Sequence, residues 1–127
     1  MQENRITVVI NKPLGEVFEF TTNPKNTHTW IPSIEEEKSE QYPPKIGTIY
    51  KNRGKEPKYN TYKVVEFEKD KKFTLKNLEN KYFVRYTYRK INENTTEMIY
   101  FEWVRTGELG KPFTQAIFNK LKEVMEK

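Results

Sequence analysis

The feature that most limits what this chain can become lies at residues 82–105. YFVRYTYRKI and TEMIYFEWVR are two long segments of alternating side chains, joined by the polar run Asn92–Glu93–Asn94–Thr95. Alternation with a period of two belongs to a strand, and a short polar link between two such strands makes an antiparallel hairpin. A sheet of this kind has a wet face and a dry face, and a slip of one residue exchanges them. Setting Val84 opposite Trp103 places Tyr86 against Phe101 and Tyr88 against Ile99 on the dry face. Arg85, Thr87, Arg89, Met98, Tyr100 and Glu102 then share the wet face, with Arg85 opposite Glu102. The other register turns Glu102 inward, where a buried carboxylate becomes an acid–base candidate.

The rest of the chain reads around this hairpin. ENRITVVI, residues 3–10, is rich in β-branched residues and predicts a strand. Pro13 opens a short amphipathic helix with Leu14, Val17, Phe18 and Thr21 on one face. Asn23–Pro24 is a second helix start, an N-cap residue before a proline, giving a turn or two to about Thr29. SIEEEKSEQY, TIYKNR, TYKVVEFE and FTLKNL predict four further strands, the last two joined by the polar turn KDKK. In that hairpin Val65, Phe67, Phe73 and Leu75 form one apolar face. From about Lys111 the apolar residues 113, 117, 118, 121, 124 and 125 form the stripe of an amphipathic helix. The order is one strand, two short helices, six strands and a closing helix, which is an α+β antiparallel meander covered by that helix.

Composition narrows the function. Hydrophobic residues are only 35% of the 127, but aromatics are 14%, which disordered chains lack. A single domain over residues 1–127 is expected. There is no cysteine and one histidine, which removes disulfides, thiolate nucleophiles and cysteine- or histidine-rich metal sites. No metal or cofactor is expected. MQENRITVVINK lacks the basic flank and apolar run of a signal peptide, and no apolar run could span a membrane. A cytoplasmic location is therefore expected. The net charge of +5 raises nucleic acid as a partner, but the lysines are interleaved with glutamates and share no strand face with the aromatics. No nucleic-acid partner is expected. Glycine-rich phosphate loops and G-x-S-x-G elbows are also absent.

The candidate residues are mostly rings. Tyr82, Tyr86 and Tyr88 would put three hydroxyls on a dry face, where each needs a partner. A purely structural core would use Phe or Val, so the tyrosines point to a cavity holding water or a polar ligand atom. Trp30 would wall its mouth, and Val65, Phe67, Phe101 and Trp103 would line it. Phe113, Ile117 and Leu121 on the last helix would roof it. His28 lacks a flanking carboxylate to orient it, so it reads first as a partly exposed helix-end residue, with a polar contact to the cavity as the alternative ahead of a catalytic base. Glu102 is the other possible polar contact. No residue is assigned as catalytic. The three consecutive glutamates 35–37 alternate across two strand faces, so they make no metal site.

These segments resemble a known family. I-x-V-x-I-x-x-P-x-x-x-V-F, present as Ile6, Val8, Ile10, Pro13, Val17 and Phe18, is similar to the first strand and helix of the SRPBCC superfamily, the START-like and Bet v 1-like group. Trp30 with Pro32 resembles its W-x-P segment, and Gly47 the glycine before its third strand. YKVVEFEKDKKFTL resembles its central hairpin. Thr95–Thr96 resembles the G-T entry to its last strand, with Asn94 where glycine is usual. The resemblance covers essentially the whole chain. It implies a helix-grip fold: a seven-stranded antiparallel sheet wrapped around a long C-terminal helix, with two short helices between strands 1 and 2. It also implies an apolar cavity for a small hydrophobic or amphipathic molecule, lipid-, polyketide- or aromatic-like. It carries no universal catalytic residues. A polyketide cyclase or dehydratase-type enzyme and a protein-interaction module are the alternatives, and the oligomeric state is open.

Overall fold

In the computed structural model, which describes residues 2–127, seven strands form one antiparallel sheet in the order β1-β7-β6-β5-β4-β3-β2. The strands are β1 (Gln2–Ile10), β2 (Glu36–Ser39), β3 (Ile49–Arg53), β4 (Asn60–Glu68), β5 (Lys72–Asn77), β6 (Tyr82–Asn92) and β7 (Thr95–Val104). Between β1 and β2 lie α1 (Leu14–Thr22) and a 3-10 helix (Pro24–Thr29), and α2 (Gln115–Glu126) closes the chain. From β2 to β7 consecutive strands are neighbours, while β1, separated from β2 by the two helices, pairs with β7 along its whole length at the other edge of the sheet.

Local chemistry accounts for the helices. Pro13 occupies the N-cap of α1, and Val17, Phe18, Thr21 and Thr22 are buried on the face that meets the sheet. Asn23 caps the 3-10 helix by accepting a hydrogen bond from the Lys25 N–H at 3.0 Å, with Pro24 next in line. The α2 helix starts at Gln115, later than the sequence predicts. Its 12 residues span about 18 Å, and it packs against β1 with Phe118 and Leu121 buried.

The register of the β6–β7 hairpin differs from the sequence expectation. Asn92 pairs with Thr95, which sets the turn as expected. A bulge then falls between Lys90 and Asn92, at the exposed Ile91. The extra residue shifts every later pair by one, so Tyr86 faces Tyr100, Tyr88 faces Met98 and Val84 faces Glu102. Met98, Tyr100 and Glu102 are buried on the dry face, at 0%, 1% and 1% exposure. Ile99, Phe101 and Trp103 are on the other side. Phe101 and Trp103 therefore do not line the interior. Arg85 sits opposite Phe101, and its guanidinium pairs with Glu66 at 2.9 Å rather than with Glu102.

A second bulge between Val64 and Glu66 does the same to β4. Phe67 faces Phe73 as expected, but Val64, not Val65, meets Leu75 and is fully buried. Val65 is the bulged residue and stays outside the core. A strict period of two cannot put residues 64 and 67 on one face; one inserted residue can.

The displaced rings make an ordered outer surface. Phe83 and Trp103 stack with centroids 4.9 Å apart, and Phe101 lies 5.2 Å from Trp103. Arg5 covers Phe101, Arg85 covers Trp103 and Arg105 covers Phe83, each 5.0–5.4 Å from the ring centroid. Guanidinium stems and ring faces shield one another from water, so large aromatics are tolerated outside.

The two tryptophans report this register. Trp30 is 2% exposed, whereas Trp103 is half-buried on the outer face. The Trp30→Phe protein should emit at longer wavelength and be quenched by acrylamide several-fold more strongly than Trp103→Phe. Equal quenching of the two would contradict the outer placement of Trp103.

Candidate functional site

The inner face of the sheet does not close completely on the segments that cover it. A cavity of about 220 Å3 remains between β2–β7 and a roof made by the end of α1, the 3-10 helix and residues 31–34. Thr21, Thr27, Ile31, Ser33 and Ile34 come from the roof. Glu37, Tyr50, Asn52, Tyr62, Phe73, Leu75, Tyr82, Val84, Tyr86 and Tyr100 come from the sheet, and Phe113 closes one end. Gly54 forms part of the wall because a Cβ there would lie 2.8 Å from the Ser33 carbonyl oxygen. The α2 helix is not the roof. Its short span leaves it over β1, and Ile117 and Leu121 do not reach the cavity.

Glu37 is the acid group of this wall. Alternation along β2 sends Glu36 outward, to Arg53 and the Tyr59 hydroxyl, and Glu37 inward. One Glu37 oxygen accepts from Thr27 Oγ1 at 2.5 Å and the other from Asn52 Nδ2 at 3.2 Å. No lysine or arginine pairs with it among the described residues. Burial pushes its carboxyl above the usual carboxylate value, and the two hydrogen bonds pull it only partly back. It is the kind of group that holds or releases a proton within a cavity.

Glu102 is inward too, but it stands behind the wall and is tied on every side. One oxygen accepts from Asn4 Nδ2 and from the Phe113 backbone N–H, both at 2.7 Å. The other accepts from the Tyr82 hydroxyl at 2.5 Å and the Tyr100 hydroxyl at 3.3 Å. Asn4 also donates to the Phe113 carbonyl at 2.9 Å. Four donors satisfy this carboxylate without a cation. Its role is to hold β1, β6, β7 and the approach to α2 in one knot.

The tyrosines divide in the same way. Tyr50 donates to the Thr22 carbonyl at 2.7 Å, and Tyr88 shares a hydrogen bond with Thr21 Oγ1 at 2.6 Å. The Tyr86 hydroxyl makes no hydrogen bond to another described residue; Tyr86 is 7% exposed, but its hydroxyl is not among the fully buried unpartnered atoms, which are Trp30 Nε1 and Asp70 Oδ1, so it keeps some accessible surface. It faces the open space. Burial keeps the hydroxyls of Tyr50, Tyr82, Tyr86, Tyr88 and Tyr100 far above their ordinary value, so they stay neutral.

Of the residues named from sequence, Tyr82, Tyr86 and Phe113 line the cavity, and Phe113 stacks on Tyr100 at 5.0 Å. Trp30 is core, against Tyr86 and Phe118, with its indole N–H unpartnered. Tyr88 and Leu121 are core beyond the cavity. Phe67 packs on Phe18 and Phe73, outside the wall. His28 is exposed and shares an outer groove with Ile117, Thr114 and Lys120. Val65, Phe101 and Trp103 lie outside for the reasons of register given above. The sequence reading missed Glu37, Asn52, Tyr50, Tyr62 and Tyr100. The alternation of Glu36, Glu37 and Lys38 was the available signal for Glu37. Among the described residues, no group of three or more His, Asp or Glu side chains is arranged to hold a metal.

No family model and no curated protein matches this chain in sequence. Solved structures do match in shape. Protein MLL2253 from Mesorhizobium loti has a TM-score of 0.73 at 13% identity, over 98% of this chain and 97% of that one. The di-domain aromatase/cyclase BexL of the BE-7585A biosynthetic pathway has 0.68 at 12%, over 83% of this chain and 36% of that one. The Aha1 dimer from Colwellia psychrerythraea has 0.67 at 10%, over 99% and 89%. At these identities the likeness is one of fold.

The two glutamates should respond oppositely to substitution. Glu102→Ala leaves four inward donors, Tyr100 buried and the others partly buried, without this acceptor and should cost about 3 kcal/mol, whereas Glu102→Gln should cost about 1 kcal/mol. Glu37 has a raised carboxyl, so the fold is favoured with it protonated, and that contribution is lost as pH rises through the folded value. Glu37→Gln should therefore stabilise the protein at pH 7 by about 1 kcal/mol, and the gain should vanish as pH falls toward 4. Urea denaturation at the two pH values measures both effects.

Proposed function

We propose that this chain, which has the SRPBCC, Bet v 1-like helix-grip fold, acts over residues 1–127 as one unit that binds a small amphipathic molecule in the cavity beneath its 3-10 helix. The observation that carries the reading is the Tyr86 hydroxyl. It lines a ring-walled space with no protein partner among the described residues and keeps some accessible surface there, so its hydrogen bond falls to a bound molecule or to water. Rings on the wall supply apolar contact. Burying roughly 200 Å2 of apolar ligand surface at about 25 cal/mol per Å2 gives on the order of 5 kcal/mol before the costs of association.

The volume sets the size of the ligand. At about 220 Å3 the space is below the roughly 300–1,000 Å3 of sites for drug-sized molecules. It suits one or two rings with short substituents rather than a lipid with long acyl chains. Aromatic and polyketide-like molecules of that size remain within the reading.

Glu37 supports a second reading, an enzyme acting on the same molecule. A carboxyl raised by burial within a cavity is suited to general acid or base chemistry on a bound carbonyl or hydroxyl. In that case the wild-type protein converts its ligand, and Glu37→Gln binds it unchanged.

Native mass spectrometry of freshly purified protein tests the binding. The expected result is an added mass that is released on denaturation and missing from Val84→Phe, in which the new ring fills the cavity. An added mass that persists in Val84→Phe would place the ligand elsewhere and defeat the proposal.

A further inference from the structure

We infer that the molecule taken up by this cavity is a small organic cation, an ammonium group on a compact aromatic or apolar body. This rests on the binding reading above and specifies its ligand class.

The first argument is the segregation of charge. The chain carries 23 lysines and arginines and a net charge of +5. Yet no lysine, arginine or histidine lines the cavity, among the described residues. The ionisable groups around it are acids: Glu37 in the wall and Glu102 directly behind Tyr82 and Tyr100. Neither glutamate has an ion-pair partner among the described residues, whereas seven other glutamates take part in eight ion pairs at the surface. Two inward carboxylates in a basic protein, both without a cation, leave a space whose potential favours positive charge.

The second argument is the wall itself. Tyrosine and phenylalanine faces are electron-rich, and a ring-lined pocket is the usual receptor for ammonium groups. The Tyr86 hydroxyl belongs to a residue only 7% exposed that lines the space, makes no hydrogen bond to another described residue, and can accept from an N–H. Each Glu37 oxygen accepts one protein hydrogen bond, from Thr27 or Asn52, which leaves lone pairs for a ligand. A carboxylate or phosphate would meet two acids and no cation, so anionic ligands are rejected by the same features.

Three probes of one shape decide the matter: 2-phenylethylammonium, the neutral 2-phenylethanol and the anionic 3-phenylpropanoate, titrated calorimetrically at pH 7.5. The ammonium should bind wild-type protein at least tenfold more tightly than the alcohol, and the carboxylate should not bind. Glu37→Gln should bring the ammonium to within about threefold of the alcohol. Val84→Phe should abolish both. If the alcohol binds as tightly as the ammonium, and both are lost in Val84→Phe, the cation inference fails while the cavity reading stands. If the ammonium preference survives in Glu37→Gln, the assignment of its recognition to this cavity fails. If none of the three binds wild type, or binding is unchanged in Val84→Phe, both fail. The wild-type ranking decides the charge preference whether or not either variant folds.

Discussion

One buried carboxylate organises the structure. Glu102 draws donors from β1, β6, β7 and the segment that leads into α2, and these elements are distant in sequence. Because Glu102 is 1% exposed, its hydrogen bonds are largely screened from water on the carboxylate side, and losing one leaves a polar atom short of a partner. That penalty pins the register of the last hairpin more firmly than hydrophobicity could. Moving β7 by one residue would bury Phe101 and Trp103 but expose Glu102 and strand Asn4 and the Phe113 N–H. The rings are served adequately outside, under arginine side chains. The carboxylate's donors have no such alternative.

Two bulges make this solution possible. Bulges at Ile91 and Val65 each insert one residue and reverse which alternate positions face the interior. The result is an inner face of tyrosines rather than one of Ile99, Phe101 and Trp103. Tyrosines bring hydroxyls, and hydroxyls need partners. Most are tied to the roof or to Glu102, and Tyr86 alone among those discussed is left facing the cavity. The cavity is thus a consequence of register: a covering α2 of only 12 residues lies over β1, and the space beside it falls to the 3-10 helix and residues 31–34.

The two inward glutamates illustrate a division between stability and use. Glu102 is saturated by donors and contributes to the fold. Glu37 has two donors rather than four and a carboxyl displaced upward by burial, so its charged form is a cost to the folded protein. Groups that cost stability and face an accessible space are where binding or proton chemistry is expected. The fold neighbours, an aromatase/cyclase, an Aha1 dimer and a protein from Mesorhizobium loti, share the scaffold at 10–13% identity and leave the site to be read from this chain's own side chains.

What the amino-acid sequence determined alone is the list of elements and their order. Alternation, the Pro13 and Asn23–Pro24 starts, and the polar turns are local signals, and local signals survive without knowledge of the rest of the chain. The meander of β2 to β7 follows from the short links between those strands, while the helix-grip arrangement, with β1 beside β7, is what the family resemblance implied. Tyr82, Tyr86 and Phe113 were legible as cavity residues, and Glu102 as an inward acid in one of the two registers. What only the tertiary structure decided is which face each ring occupies, because a bulge of one residue is invisible to a pattern of period two. It also decided that Glu37 faces the interior with Asn52 and Thr27, and that α2 stops short of the cavity. Those outcomes depend on satisfying buried polar groups drawn from strands far apart in sequence, a condition that exists only once the chain has folded.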